Sequence, residues 1–188
     1  MKKLVVLASG SGTNLQRIID EIKAGAIRDA QISLVITDRD CYATERAKQA
    51  NIPTLQFPRK GFSIALDENI PADTDLIVLA GFLSILSSDF CKKWEGKIVN
   101  IHPALLPKFG GKGMWGMNVH NAVVETKAKE SGATVHFVTS GIDEGEIILQ
   151  GRIEVDATDT PELVAEKVHQ VEYDIFPKAI DLVLNGPK

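Results

Sequence analysis

The sequence has only two cysteines, Cys41 and Cys91, and no CxxC or Cys/His spacing links them. That excludes a disulfide framework and a zinc cluster, and the two read as reduced, partly buried thiols. No stretch approaches the roughly 18 consecutive apolar residues that a membrane-spanning helix needs. An excess of positive charge is missing too: 21 Lys and Arg against 25 Asp and Glu leave a net charge of -4, which argues against a nucleic-acid surface. Repeats, low-complexity tracts and polar linkers are absent. The apolar run Leu4–Ala8 near the start is shorter than a signal-peptide core, and Asn14, Gln16 and Arg17 follow closely, so a cytoplasmic location is expected. What is present is ordinary globular composition, with 188 residues, 44% hydrophobic and 24% charged. This is enough for one domain with one substantial core.

Strand and helix signals alternate from the first residues. Leu4–Ala8 is a continuous apolar run of strand length, and Leu15–Ala24 carries helical spacing through Leu15, Ile18, Ile19 and Ile22. Gln31–Thr37 reads as a strand, Tyr42–Ala50 as a helix, and Thr54–Phe57, Asp75–Ala80 and Lys97–Ile101 as further strands. Apolar strands separated by helices imply an α/β fold, an open and mostly parallel Rossmann-like sheet with helices on both faces. Ala133–Thr139 and Ile147–Val155 alternate instead, which predicts a C-terminal antiparallel hairpin around the turn Ser140–Gly145. A last helix opens at Thr160-Pro161-Glu162 and runs to about Leu184. Four chemically unusual segments follow predicted strands: Gly10–Asn14, Gly81–Leu86, Asn100–Lys108 and Ser140–Gly145. Ligands of open α/β sheets bind beyond the carboxyl ends of strands, so these segments are expected to share one rim.

Ser9-Gly10-Ser11-Gly12-Thr13-Asn14 joins the first strand to the first helix. Its glycines permit a tight turn, and the helix start offers free N–H groups to a phosphate or another anion. A dinucleotide fingerprint would have a third glycine where Leu15 stands, although Asp38 occupies the position of a ribose-binding acid. A Walker loop lacks its Gly-Lys-Ser/Thr. A plain strand–helix turn built from small residues is the bland alternative.

Asn100 and His102 lie two residues apart at a strand end, so both side chains can point the same way. Pro103 ends the strand, and the Leu106–Pro107 bond is a candidate for the cis form. An amide donor suits a carbonyl oxygen gaining negative charge, and imidazole suits proton transfer near neutral pH. Together they match acyl transfer to an amine. Asp143, in the turn Gly141–Gly145, could orient that imidazole or hold a proton-relaying water. On spacing alone a structural role for these residues competes with catalysis. His136, inside a predicted strand, reads as a core or rim residue, and His120 carries less weight still. No pair of histidines has convincing metal spacing, so no metal is expected.

Taken together, VVLASGSGTNLQ, VLAGFLSILS, IVNIHPALLPKF, GATVHFVTSGIDEGEIILQ and VEYDIFP resemble, in the same order, the phosphoribosylglycinamide formyltransferases, the folate-dependent formyltransferases of purine synthesis. The resemblance spans nearly the whole chain. It implies the formyltransferase fold and a single catalytic domain over 1–188. The implied reaction moves the formyl group of 10-formyltetrahydrofolate to the amine of glycinamide ribonucleotide. It implies Asn100, His102 and Asp143 as the catalytic group. Gly12, Thr13 and Asn14 would hold the substrate phosphate, with Glu172 at its ribose. The folate would be lined by Leu83, Ser84, Ile85, Leu86, Ser140 and Gly141. The implied partners are small molecules, with no nucleic acid and no membrane, for a monomer or homodimer.

Three departures from the family stand out. Ser84 replaces a usually basic residue, Asn118 stands where a second histidine is common, and the segment between Phe57 and Asp75 is short. Lys60, or Arg59, is the candidate for the cationic folate contact normally found in that segment. The glycine-rich stretch Gly110–Gly116, with Met114 and Trp115, reads equally as a mobile lid or a surface loop. Relatives that formylate tRNA or sugar nucleotides, or that hydrolyse formyl-folate, usually carry extra domains, for which no room is expected here. A nucleotide-binding oxidoreductase using Gly10, Gly12 and Asp38 is the alternative from another class, and a non-enzymatic ligand sensor a third.

Overall fold

A computed structural model describes residues 1–187. The chain runs β1 (Lys2–Ala8), α1 (Thr13–Lys23), β2 (Ala30–Thr37), α2 (Tyr42–Gln49), β3 (Thr54–Gln56), α3 (Phe62–Asn69), β4 (Leu76–Leu79), α4 (Ser88–Lys93), β5 (Ile98–His102), α5 (Met117–Glu125), β6 (Glu130–Phe137), β7 (Ile147–Glu154) and α6 (Pro161–Asn185). The strands form one sheet of seven in the order β3-β2-β1-β4-β5-β6-β7. β1 to β5 pair in parallel; β6 is antiparallel to β5, and β7 to β6. The predicted α/β sheet with its C-terminal hairpin is therefore observed. The Leu106–Pro107 bond is cis.

Both faces of the parallel strands are covered, which is why they read as unbroken apolar runs. Leu4, Val6 and Ala8 of β1 enter a core beneath α1 and α6, while Val5 and Leu7 enter a second core with Phe62, Leu66 and Phe90. All five of those β1 residues are fully buried, and each larger one contributes about 1.5–3 kcal/mol through burial. α6 begins as its sequence predicts: Thr160 Oγ accepts the Leu163 N–H, and Pro161 occupies the first turn. Pro177 lies inside this helix and has no N–H for the Tyr173 carbonyl four residues earlier. Arg17 Nε of α1 donates to that carbonyl at 3.1 Å, so a helix-breaking residue leaves an acceptor that ties α6 to α1. No helix among the described residues is long and apolar enough to cross a membrane.

Candidate active site

At the carboxyl end of β1, Gly12 adopts φ 72, and a Cβ there would lie 2.7 Å from Ala43 Cα. Glycine is therefore required both for the turn and for its seat on α2. Gly12 precedes α1 without any side-chain cap, so the first amides of the helix stay free. Asn14 is buried and donates to Glu172 Oε2 at 2.9 Å, and its own Oδ1 has no partner among the described residues. Burial pushes the Glu172 carboxyl up from its ordinary range, opposed by the Asn14 amide and by His169. The turn, Asn14 and Glu172 thus form one polar corner.

Ser9 links this corner to the next loop. Its N–H donates to Gly81 O at 3.1 Å, and its hydroxyl accepts the Leu83 N–H at 2.9 Å. Ser84 does not project freely; its hydroxyl donates to Asp38. Asp38 also takes a bidentate pair from Arg39 at 2.9 and 2.8 Å, with Arg59 Nε 3.5 Å away. Burial alone would raise the Asp38 pKa, but the donors Arg39, Ser84 and Ser9 outweigh it and hold the carboxyl far below the usual range. Its oxygens are occupied and its side chain is sealed from solvent, so it cannot receive a ribose hydroxyl. Leu15, fully buried, fills the space of the third glycine. The oxidoreductase alternative loses Asp38, its candidate ribose ligand, and Leu15 leaves no room for the missing glycine. Leu83 and Ile85 on this loop and Ile142 across from it are exposed, while Leu86 is buried in the core. Ser140 meets the base of the same loop through Ser88 Oγ at 3.0 Å, and Gly141 follows it. Lys60 is exposed; Arg59 is the cation that reaches the Asp38–Ser84 cluster.

Asn100 and His102 occupy one face of β5, and Asp143 comes to meet them. Its Oδ2 lies 3.6 Å from His102 Nδ1 and accepts the Gly111 N–H at 3.0 Å. The rim rule does not account for this meeting. β6 runs antiparallel, so Phe137 at its carboxyl end pairs with Val99, and Val138 donates to Ile98 O, away from His102. The turn folds back along the sheet face instead. Asp143 takes φ 56 there, a left-handed conformation that aspartate tolerates better than most residues.

His136 completes the cluster. Asn100 is paired directly with it across β5–β6, and opposed residues share a face. His136 is 2% exposed, with Nε2 3.1 Å from Asn100 Nδ2 and 3.7 Å from Asp143 Oδ1. The reading of His136 as a core or rim residue is right about burial and misses its place in the site. The sequence held no signal for that place, because the pairing with Asn100 is set by the β5–β6 register. Its Nδ1 lies 2.9 Å from Phe137 O; a carbonyl only accepts, so Nδ1 carries the proton and Nε2 accepts from Asn100. Burial lowers the His136 pKa and keeps it neutral, which this arrangement requires. The Asn100 amide is thereby fixed with one N–H bound and one left over. His102 Nε2 likewise donates to Phe109 O at 2.8 Å, which turns Nδ1 toward Asp143.

Among the described residues no group of three His, Cys, Asp or Glu side chains could hold a metal. A groove of about 550 Å³ between β7 and α6 is lined by none of the site residues above. Asn118, at the position of the family's second histidine, stands in the first turn of α5, donates to Gly113 O of the preceding loop at 3.0 Å and makes no hydrogen bond to Asp143. Trp115 in that loop is exposed.

A family model for formyl transferases matches residues 2–180. The phosphoribosylglycinamide formyltransferase of Haemophilus influenzae is 42% identical over 194 residues, covering 99% of this chain and 89% of its own. The trifunctional purine biosynthetic protein adenosine-3 of Bos taurus is 41% identical over 98% of this chain, which spans 18% of that longer protein. Among solved structures, glycinamide ribonucleotide transformylase 1 of Symbiobacterium toebii superposes with a TM-score of 0.90 at 39% identity, over 99% of this chain and 89% of the other. With its fold, its loop order and nearly its full length matched, this chain belongs to the formyl transferase family.

Proposed function

We propose that this protein is a phosphoribosylglycinamide formyltransferase of purine biosynthesis, acting in the cytoplasm with residues 1–188 as a single catalytic domain. It takes the formyl group from 10-formyltetrahydrofolate and gives it to the amine of glycinamide ribonucleotide. The observation that carries this reading is the meeting of the Asn100 amide, the His102 ring and the Asp143 carboxylate on one face of β5.

The amine nitrogen attacks the formyl carbon, and the carbonyl π electrons move to oxygen. The unbound N–H of Asn100 donates to that oxyanion, and the His102 ring stands beside it, oriented by Asp143 3.6 Å away. Asp143 takes up the proton lost by the amine through water. As the carbon–nitrogen bond to folate breaks, the leaving nitrogen is reprotonated along the same route. Gly12, Thr13 and Asn14 hold the substrate phosphate, and Glu172 accepts from its ribose. Leu83, Ser84, Ile85, Leu86, Ser140 and Gly141 line the folate largely through backbone groups, with the exposed side chains of Leu83 and Ile85 supporting an apolar contact. Lys60 and Arg59 are the cations on that edge.

Mixing the protein with glycinamide ribonucleotide and 10-formyltetrahydrofolate, and following folate absorbance, tests the reading. Absorbance change that depends on the ribonucleotide and yields formylglycinamide ribonucleotide is expected. Release of free formate at the same rate without the amine would overturn it.

A further inference from the structure

Arg46 of α2 contacts the backbone of the glycine turn and belongs to none of the groups above. Its Nε donates to Ser11 O at 2.7 Å, and one helical turn earlier the Ala43 N–H donates to Gly10 O at 3.1 Å. The Gly10 and Ser11 carbonyls therefore point into α2. In a trans peptide the carbonyl and the following N–H point in opposite directions. The Ser11 and Gly12 N–H groups are accordingly directed away from α2. The first backbone bond of α1 runs from the Gln16 N–H to Gly12 O at 2.9 Å, so the Thr13, Asn14 and Leu15 amides before it are also uncommitted. Consecutive free amides of this kind form an anion-binding concavity.

Such a turn is easily reversed. Gly12 accepts either sign of φ, so the Ser11–Gly12 peptide could flip and present its carbonyl oxygen where an amide should be. Arg46 opposes that flip, and Arg46 is itself held. Its guanidinium stacks 5.0 Å from the Tyr42 ring centroid and approaches Gln16 Oε1 at 3.5 Å. Thr13, Gln16 and Arg46 line one small recess of about 190 Å³. The buried Oδ1 of Asn14 and the buried Glu172 carboxylate mark the corner as built for a polar ligand.

We infer that Arg46 is a positioning residue for the phosphate cradle: by fixing the Ser11 carbonyl it keeps the turn's amides aimed at the phosphoryl group. The inference rests on the reading that this turn holds the substrate phosphate. Lysine would keep the charge but not the planar fork that bonds Ser11 while stacking on Tyr42.

The test compares glycinamide ribonucleotide with its dephosphorylated riboside in Arg46→Ala, Arg46→Lys and Gly12→Ala proteins. In Arg46→Ala the KM for the ribonucleotide should rise about tenfold or more, while kcat and the folate KM stay within about twofold. The riboside's kcat/KM should not change, so the advantage conferred by phosphate shrinks. Arg46→Lys should recover less than half of the loss on a logarithmic scale, and it carries the test by a KM increase of its own if the alanine protein does not fold. Equal losses on both substrates would mean a merely structural role and overturn the inference. If Gly12→Ala abolishes the phosphate advantage while both Arg46 variants retain it, the Arg46 inference fails alone. If all three variants retain it, the phosphate reading of the turn fails as well.

Discussion

Asn100 and His136 face each other across the antiparallel β5–β6 ladder, with the amide nitrogen of one 3.1 Å from the ring nitrogen of the other. The bond decides which end of the amide is a donor. Because His136 spends its Nδ1 proton on the Phe137 carbonyl, only an N–H of Asn100 can satisfy Nε2. The amide therefore keeps its second N–H unbound, and on the proposed reading this is a donor preorganised for the reacting carbonyl.

Replacing His136 with leucine removes that acceptor and frees the amide to rotate. We expect kcat to fall by about 10- to 100-fold, in the range seen when the support of a functional group is lost. Both KM values should move less than about threefold. Steady-state kinetics check this, and a leucine protein with unchanged kcat would show that the amide is held by something else.

Asp143→Asn isolates charge from shape. Asparagine tolerates the left-handed backbone that residue 143 adopts and can still accept the Gly111 N–H. Folding stability should therefore change by less than about 1 kcal/mol, while kcat should fall by about 100- to 10,000-fold through loss of the carboxylate. Thermal unfolding and turnover measured on the same preparation separate the two effects.

The sequence exposed the parallel core because strands buried on both faces leave unbroken apolar runs, as in Leu4–Ala8 and Leu76–Leu79. α3, α4 and α5 were not legible. α3 buries only Phe62 and Leu66, α4 has six residues, and α5 follows Gly116 with no side-chain cap, so each gives too weak a periodic signal. Asn100 and His102 stood out because they sit two residues apart at a strand end that Pro103 closes. His136 did not, because its role depends on which residue lies opposite it, and register is a property of the folded sheet. The path of Asp143 was hidden for the same reason: its turn folds back over the sheet rather than extending the rim.

Thr13→Ala removes a hydroxyl from the glycine turn without touching β5. The KM for glycinamide ribonucleotide should rise by about 10- to 100-fold, the scale of one lost hydrogen bond to a charged group. Turnover at saturation should change little. Initial-rate kinetics in both substrates check the assignment, and an effect confined to the folate KM would contradict it.

His120 on α5 is 3% exposed, and its Nδ1 has no partner among the described residues. Burial first, and then the neighbouring His169 and His102, lower its pKa to about 4, against about 6.5 in an unfolded chain. Between those values the unfolded chain binds a proton that the folded protein refuses, so stability is full above the unfolded pKa and falls as the pH drops toward the folded one. The full loss is about 3 kcal/mol. His120→Asn cannot titrate, so its Tm should fall less than the wild type's between about pH 7.5 and pH 4.5. Parallel Tm curves for the two proteins would rule His120 out as the source.

The account turns on Asn100 and His102 acting at one reacting carbon. Single-turnover transfer of a labelled formyl group from 10-formyltetrahydrofolate to glycinamide ribonucleotide, in Asn100→Ala, His102→Ala and the double variant, measures this directly. Groups that act as a unit are strongly non-additive, so each single change should slow transfer by about 100-fold or more and the double change by little beyond the worse single one. A double variant slowed by the full product of the two single effects would contradict it, because the two side chains would then be acting independently.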